Sequence, residues 1–283
     1  MPINLTSKST RAIKSRPGDM PKCAKKVYAQ LGFTLVELIF VLVVLGLVGS
    51  IGSSFLVDTM DMYQRTSNRV KLMQKGRVAI EQISRYLRSA VPNSVRISAT
   101  GKCVEFVPVV AGGYYINQLP DSENGGTASS SVVIAPLSFS GSATQFIVSP
   151  LSTSDIYTAS ATSARAAVSA VGASSITLSG AKLFTRNSTQ HRYYLAANPK
   201  RFCFVSGSLY RYSGYGFLTS ALDDTSPGGS ADIMLNQLNQ AAASFSLSAG
   251  SEQRNTSVGI TLSLSAGTET VVLRHQVLVR NVP

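Results

Sequence analysis

A single carboxylate lies inside the most apolar stretch of this chain. Residues 33–57 read FTLVELIFVLVVLGLVGSIGSSFLV, and Glu37 is the only ionisable side chain among these 25 residues. At about 1.5 Å per residue, such a helix is about 37 Å long, which is enough to cross a hydrocarbon core of about 30 Å. An acidic side chain at the centre of a membrane span costs about 2.5–3.5 kcal/mol on insertion scales. The position of Glu37 therefore predicts a function for the carboxylate and a cationic partner for it.

The charges on either side of this segment predict its orientation in a membrane. Seven basic residues and one acid, Asp19, precede it, whereas Asp58 and Asp61 begin the flank that follows. The basic residues are Lys8, Arg11, Lys14, Arg16, Lys22, Lys25 and Lys26. The positive-inside rule then predicts a cytoplasmic N-terminus and an exported C-terminal part. A removable secretory signal, cut among the small residues 49–54, is the alternative, but it does not account for Glu37.

The residues around Glu37 also form a known kind of motif. The octapeptide GFTLVELI, residues 32–39, follows the basic leader and opens the apolar run, and it resembles the type IV prepilin signature. The resemblance implies that a membrane aspartyl peptidase cuts after Gly32 and methylates Phe33, the new N-terminal residue. It also implies that Glu37 pairs with the N-terminal ammonium of a neighbouring subunit, which neutralises two charges in an apolar filament core. Glu37 is then an assembly residue.

The motif divides the chain into four predicted segments. Residues 1–32 are the leader, although Met20 opens a leader of thirteen residues, a more ordinary size, and is a candidate for the real start. Residues 33–57 form the transmembrane or filament-core helix, and residues 58–91 form an amphipathic helix. Residues 92–283 form a β-rich periplasmic head.

The two helical segments are predicted to be one continuous helix. Apolar residues continue at helical spacing beyond the span, and Pro92 then stops the pattern because the residue before a proline avoids the helical region. The helix is therefore expected to run from about Phe33 to Ala90. The residues of the apolar pattern are Met62, Thr66, Val70, Met73, Ile80, Ile83, Leu87 and Val91.

Small residues in the predicted span allow a prediction about helix contacts and another about the class of pilin. Gly46, Gly49 and Gly52 either let neighbouring helices approach closely or mark weak points that stretch on assembly. Major pilins usually carry a proline in the second half of this segment, where this sequence has Ser54. The resemblance thus favours a minor pilin or a pseudopilin over a major pilin.

The head reads as short strands joined by turns, which with the helix predicts an α+β pilin fold: a long helix packed on an antiparallel sheet. Residues 201–205 and 209–212 flank Ser-Gly-Ser and predict a hairpin. Apolar residues alternate with polar ones at 258–264 and at 271–279, so each segment predicts a strand with one buried face. Three polar stretches are predicted to be exposed loops, at residues 121–131, 158–175 and 223–232.

Charge and cysteine content restrict what the head can bind. Residues 92–283 carry twelve basic and nine acidic residues, a net charge of +3, which makes no strong case for nucleic-acid binding. Cys23 falls in the leader, so Cys103 and Cys203 remain as an even pair in an exported chain. They predict a disulfide that closes a loop of about 100 residues, with two buried free thiols as the alternative.

No catalytic site, metal or cofactor is predicted, and the chain is not expected to be an enzyme. His275 lies on the apolar face of a predicted strand, which favours a core histidine over a catalytic one. Neither zinc spacing nor a hydrolase or phosphate-binding motif is present around the two histidines, His191 and His275.

Two segments of the head have a functional and a structural interpretation. Asp223, Asp224 and Asp232 fit no EF-hand spacing, so a solvated acidic loop is favoured over a calcium site. The rings and bases of residues 191–217 suit stacking on sugars or bases, but they are also ordinary on strands and at subunit contacts, and the structural interpretation is favoured.

Two tracts of the head extend the resemblance. CFVSGSLYRYSGYG, residues 203–216, and VVLRHQVLVRNVP, residues 271–283, resemble the heads of J-like and W-like minor pilins and of O-type biogenesis proteins of the mannose-sensitive haemagglutinin (MSHA) pilus. The resemblance implies a filament subunit held in the inner membrane before assembly into an extracellular pilus. Its implied partners are other major and minor pilins, the prepilin peptidase and the inner-membrane assembly platform. A minor pseudopilin of type II secretion and a membrane-anchored binding module outside any filament are the alternatives.

Overall fold

The computed structural model describes residues 32–158, 160–250 and 255–280. Within these residues the chain forms two helices, α1 (Leu35–Arg88) and α2 (Thr153–Tyr157), and fourteen strands. The strands are β1 (Arg96–Ile97), β2 (Cys103–Phe106), β3 (Val109–Tyr114), β4 (Ser129–Val133), β5 (Gln145–Ile147), β6 (Arg165–Val171), β7 (Ser175–Lys182), β8 (Arg192–Ala196), β9 (Lys200–Val205), β10 (Ser208–Ser213), β11 (Ser230–Leu235), β12 (Ser244–Ser248), β13 (Thr256–Ala266) and β14 (Glu269–Val279). A long helix followed by antiparallel sheets confirms the predicted α+β pilin-like architecture.

The predicted continuous helix forms, with ends two residues inside those expected. α1 begins at Leu35 and ends at Arg88 rather than at Ala90. The chain leaves the helix early because it joins a strand-like pairing: Ala90 forms a bridge with Pro108, and the N–H of Val91 donates to the carbonyl of Val107 at 2.8 Å. The chain divides into two compact units, residues 1–57 and 58–283.

The second unit builds its main core on one face of α1. Leu72, Ala79, Ile83 and Leu87 are buried at helical spacing, as an amphipathic helix requires. Gly76 is buried in the same row, and a Cβ there would lie 2.8 Å from Cδ1 of Leu264, so a larger residue would require the packed leucine side chains of the sheet to shift.

Two sheets complete this core. One has the strand order β1-β2-β9-β10-β11, and the other has the order β12-β13-β14. Phe204 of β9 and Phe245 of β12 stack with ring centroids 4.5 Å apart, which joins the two sheets. The predicted hairpin at 201–212 is confirmed as β9 and β10, and the apolar residues 258, 260, 262 and 264 of β13 are all buried.

A third sheet lies between β2 and β9 in the chain and closes on itself. Its strand order is β3-β8-β5-β6-β7-β4. Its two end strands also meet, because Tyr115 bridges Ile134 and the N–H of Ile116 donates to the carbonyl of Val133 at 3.0 Å. Residues 109–196, called the inserted barrel below, have a separate core in which Phe146, Phe184 and Tyr193 are buried. The sequence did not predict this closed sheet.

The disulfide lies at the base of the inserted barrel. Cys103 of β2 and Cys203 of β9 face each other in register and are joined, with their Cα atoms 4.2 Å apart and 100 positions between them in the sequence. Both cysteines are fully buried. Since the barrel lies wholly within the loop that this bond closes, the bond ties together the two strands from which the barrel emerges.

Each of the three predicted loops is wrong in part, because β4 begins at Ser129 in the first and β11 begins at Ser230 in the third. Residues 158–175 contain β6, an Ala- and Ser-rich strand that has weak strand propensity and is held by pairing with β5 and β7. Asp121, expected in an exposed loop, is fully buried and accepts hydrogen bonds from Asn124 and Asn187. His275 is exposed rather than in the core, because it lines an open groove between β14 and α1.

Breaking the disulfide is expected to lower stability because the unfolded chain gains conformational entropy when the bond is absent. Closing a loop of 100 residues contributes at most about 4.7 kcal/mol in the chain-entropy model. We expect the Cys103→Ala/Cys203→Ala double variant to have a lower melting temperature than the parent, measured on full-length protein in detergent. Non-reducing peptide mapping supplies the control, in which the parent yields one linked pair. Two freely alkylated thiols in the parent would contradict the bond.

Candidate functional site

The first turn of α1 is built by a threonine and the glutamate three residues later. Thr34 precedes the helix, and its hydroxyl accepts a hydrogen bond from the N–H of Glu37 at 3.3 Å. The carbonyl of Thr34 accepts from Leu38 at 3.2 Å. This is the geometry of an N-cap, and Thr-x-x-Glu is the spacing of a capping box. Residues 34 and 37 therefore fix where the helix begins.

The predicted cleavage point lies just before this cap. Gly32 and Phe33 are outside the helix and exposed, and the ring of Phe33 is 77% exposed. A Cβ added to Gly32 would meet no atom within 4 Å. The peptide bond between them is therefore free of helical hydrogen bonding and open to a peptidase. The rest of the predicted leader lies outside the described residues.

Glu37 lies exposed on the apolar part of α1. Across the described ranges 32–158, 160–250 and 255–280, the ion pairs involve other carboxylates, and no cation lies within 4.0 Å of Glu37. All the described residues of the first unit, 32–57, are exposed. α1 is also, among the described residues, the one helix long and apolar enough to cross a membrane. A large exposed apolar surface of this kind marks a contact with a membrane or with another protein.

The glycines of the span have no packing neighbour among the described residues. Cβ atoms added at Gly46, Gly49 and Gly52 would have no neighbour within 4 Å. Their predicted roles, close helix approach or stretching on assembly, both concern contacts with other molecules and stay predictions.

Comparison with known proteins agrees with this site. Residues 28–53 match a family model described as the prokaryotic N-terminal methylation motif. Together with the apolar helix and the antiparallel head, the match supports a type IV pilin-like protein, a filament subunit of the pilin and pseudopilin class that a prepilin peptidase processes and that assembles with other pilins. Searches of curated proteins and of solved structures gave no match. The family match ends at Ser53 and leaves the head uncompared.

A second carboxylate, in the head, is fully buried and was missed by the sequence analysis. Glu105 of β2 accepts hydrogen bonds from Arg96 at 2.6 Å, from Arg201 at 3.2 Å and from the hydroxyl of Tyr215 at 3.0 Å. The side chain of Arg201 is only 2% exposed and also reaches Asp223 at 3.3 Å. Burying these charges is tolerable only because each has a partner. The signal in the sequence was an acid within the apolar run CVEFV.

This buried cluster fixes the segment that follows β10. Arg96 donates to the carbonyls of Leu218 and Ser220, both at 2.9 Å. Burial, and after it the charge of Glu105, raises the pKa of Tyr215 well above its ordinary value, so its hydroxyl stays protonated and donates. The cluster is structural, because nothing in it is both exposed and positioned for chemistry.

The other candidate sites of the head are taken up by structural contacts. Asp223, Asp224 and Asp232 separately contact Arg201, Thr100 and Arg211, and within the described residues no group of three potential metal ligands gathers. Most rings of residues 191–217 lie in cores, with Tyr193, Phe202, Phe204, Tyr212 and Tyr215 buried. His191 stacks on Tyr115 with centroids 4.8 Å apart. The structural interpretation of residues 191–217 is thus favoured over a stacking surface.

Removing the buried charge of Glu105 is expected to destabilise the head strongly. Glu105→Gln keeps the shape but leaves Arg96 without its counter-charge and Arg201 with only the exposed Asp223, and breaking a buried pair costs about 3–5 kcal/mol. Glu123→Gln is the matched control, because the side chain of Glu123 is 56% exposed in its pair with Arg186 and an exposed pair contributes about 0–1 kcal/mol. Urea unfolding of both variants measures the difference. Equal effects would contradict the role assigned to the cluster.

Proposed function

We propose that this protein is a minor pilin of a type IV pilus of the MSHA kind, a processed filament subunit and not an enzyme. One observation carries the proposal: Glu37, the only ionisable side chain of the exposed apolar residues 33–57, stands five positions after an exposed Gly32 and within the matched methylation motif. The proposal assigns residues 1–32 to the leader, residues 33–57 to the membrane and filament core, and residues 92–283 to the head.

Cleavage creates the charge that Glu37 lacks. Removing the leader after Gly32 exposes the amino group of Phe33, which is protonated and remains a cation when N-methylated. In a filament, the ammonium of one subunit and the carboxylate of the next neutralise each other inside packed apolar helices. A carboxylate left alone there would cost several kcal/mol. Because residues 33–57 hold one carboxylate, one axial stagger of neighbouring helices satisfies it.

The same charges position the subunit before assembly. The basic leader keeps the N-terminus in the cytoplasm and the head in the periplasm. The helix then leaves the inner membrane as its apolar surface passes from lipid to the helices of other pilins. The minor rather than major role is supported by Ser54 in place of proline and by the resemblance of residues 203–216 and 271–283 to heads of minor pilins.

Processing between Gly32 and Phe33 is the first test of this proposal. We expect mass spectrometry of the protein from its native host to find a mature chain that begins with N-methylated Phe33. Gly32→Val should accumulate with its leader attached, since a branched side chain blocks close approach of the peptidase. Gly46→Val, the same change inside the helix, is the control and should be cleaved. A mature start near Ser53, or an intact leader in the parent, would exclude the pilin function.

Assembly through Glu37 is the second test. Glu37→Leu should insert into the membrane at least as well as the parent, because a costly charge is removed, and it should still be cleaved. It should fail to enter filaments, because the ammonium of its neighbour would stay buried and unpaired at a cost of several kcal/mol. The measurement is the number of surface pili and the amount of co-purified pilins, with Asp61→Leu as a control on the same helix. Normal incorporation of Glu37→Leu would show that the carboxylate serves another purpose.

A further inference from the structure

The inserted barrel has a groove on its surface. It lies on the outside of β6 and β7, has a volume of about 420 Å³, and is open because residues with small side chains line it. A pocket of this size suits a small molecule or a single sugar-sized group. The residues that matter to its chemistry are Ser160, Ser163, Arg165, Ala167, Gly180 and Lys182.

One cation of the groove is held in place by neutral oxygens. The ammonium of Lys182, which is half-buried, donates to the carbonyl of Ser160 at 3.0 Å and to the hydroxyl of Ser163 at 3.1 Å. Lysine has three N–H donors, so one is left to point elsewhere. The side chain is thus fixed by the turn before β6 while keeping a free donor.

The second cation is also fixed without an acid. The half-buried guanidinium of Arg165 donates to the carbonyl of Ile156 at 2.8 Å and to the side-chain oxygen of Gln145 at 3.3 Å. It lies 3.9 Å from the ring centroid of Phe217. These contacts use some of its five donors and none of them neutralises its charge.

Neither cation of the groove has an acid beside it among the residues that the structure describes. Within the described ranges, neither Arg165 nor Lys182 has a carboxylate within 4.0 Å, whereas four other arginines of the head do, namely Arg96, Arg186, Arg201 and Arg211. Asp155 on α2 is engaged by Arg186 at 3.2 Å. Burial, and after it the positive charge of Arg165, lowers the pKa of Lys182. The chain therefore leaves two like charges close together, half-buried and uncompensated.

We propose that this groove binds a compact oxyanion, a carboxylate, sulfate or phosphate group, with Lys182 as its main ligand and Arg165 as the second cation. An anion there would take the free donors and neutralise both charges in charge-assisted hydrogen bonds. Such a group reaches an exported head either as a free ion or on an acidic sugar. This inference goes beyond the proposed assembly role. Because the barrel has its own core, a test can contradict anion binding without contradicting assembly, and the reverse.

Calorimetric titration of the full-length protein in a neutral detergent tests the groove. The probes are sodium sulfate, sodium phosphate and glucuronate, with methyl glucoside as the neutral probe and ionic strength held constant with chloride. We expect saturable binding of at least one oxyanion and none of methyl glucoside. Preference for glucuronate would identify an acidic sugar as the source, and binding of the inorganic anions alone would identify a free ion.

Two lysine variants separate this site from general surface charge. Lys182→Gln should weaken binding by about tenfold or more, the effect of one charge-assisted hydrogen bond. Lys75→Gln is the matched control and should bind as the parent does, because Lys75 also donates to a neutral oxygen, that of Gln237 at 2.8 Å, but lies outside the groove. No saturable binding of any anion, or equal weakening by both variants, would overturn the proposal.

A charge reversal guards against loss of binding through misfolding. Lys182→Glu places a carboxylate beside Arg165, whereas Lys182→Gln replaces the same ammonium with a neutral group. In the absence of added oxyanion, Lys182→Glu should therefore melt at a higher temperature than Lys182→Gln while binding none of the probes. A melting temperature below that of Lys182→Gln would show that the groove has no uncompensated positive charge, and the proposal would fall.

Discussion

A carboxylate in an apolar helix has to find a cation, and this requirement organises the molecule. In a single chain Glu37 has no ionic partner among the described residues, and the apolar side chains around it are exposed. A membrane can cover the apolar surface, but it cannot neutralise the charge. A neighbouring processed N-terminus can do both, since it brings an ammonium and another apolar helix. In the proposed function, incompleteness of the isolated chain is thus the physical basis of assembly.

In the head, a buried carboxylate finds its cationic partners within the same chain. Glu105 is buried as deeply as any side chain of the protein, yet two arginines and a tyrosine surround it. Its cluster and the adjoining disulfide hold β1, β2 and β9 together at the point where the inserted barrel leaves the sheet. The helix, the two sheets and this cluster form a scaffold, on which the barrel is an addition with a core of its own. The two proposals therefore assign assembly and ligand binding to different parts of the chain.

Local patterns in the sequence predicted the elements whose formation depends on residue spacing along the chain, such as the long helix and β13. The helix, expected from about Phe33 to Ala90 and observed from Leu35 to Arg88, follows from apolar spacing and the stop at Pro92, and β13 follows from strict alternation. The closed sheet depends on pairing between distant strands, such as β3 with β4, for which no local signal exists. β6 was taken for a loop because alanine and serine favour no strand until neighbours supply the hydrogen bonds. Glu105 was as visible as Glu37, but short apolar runs do not reveal whether an acid is buried.

The pairing of Glu37 with a neighbouring N-terminus can be measured directly in isolated filaments. An apolar carbodiimide enters the helical core and joins a carboxylate to an amine only when the two are in contact. Digestion and mass spectrometry should then recover the peptide containing Glu37 linked through an amide to the N-terminal residue of an adjacent pilin. Recovery of Glu37 unlinked, or linked to a lysine side chain, from filaments that contain this subunit would contradict the account.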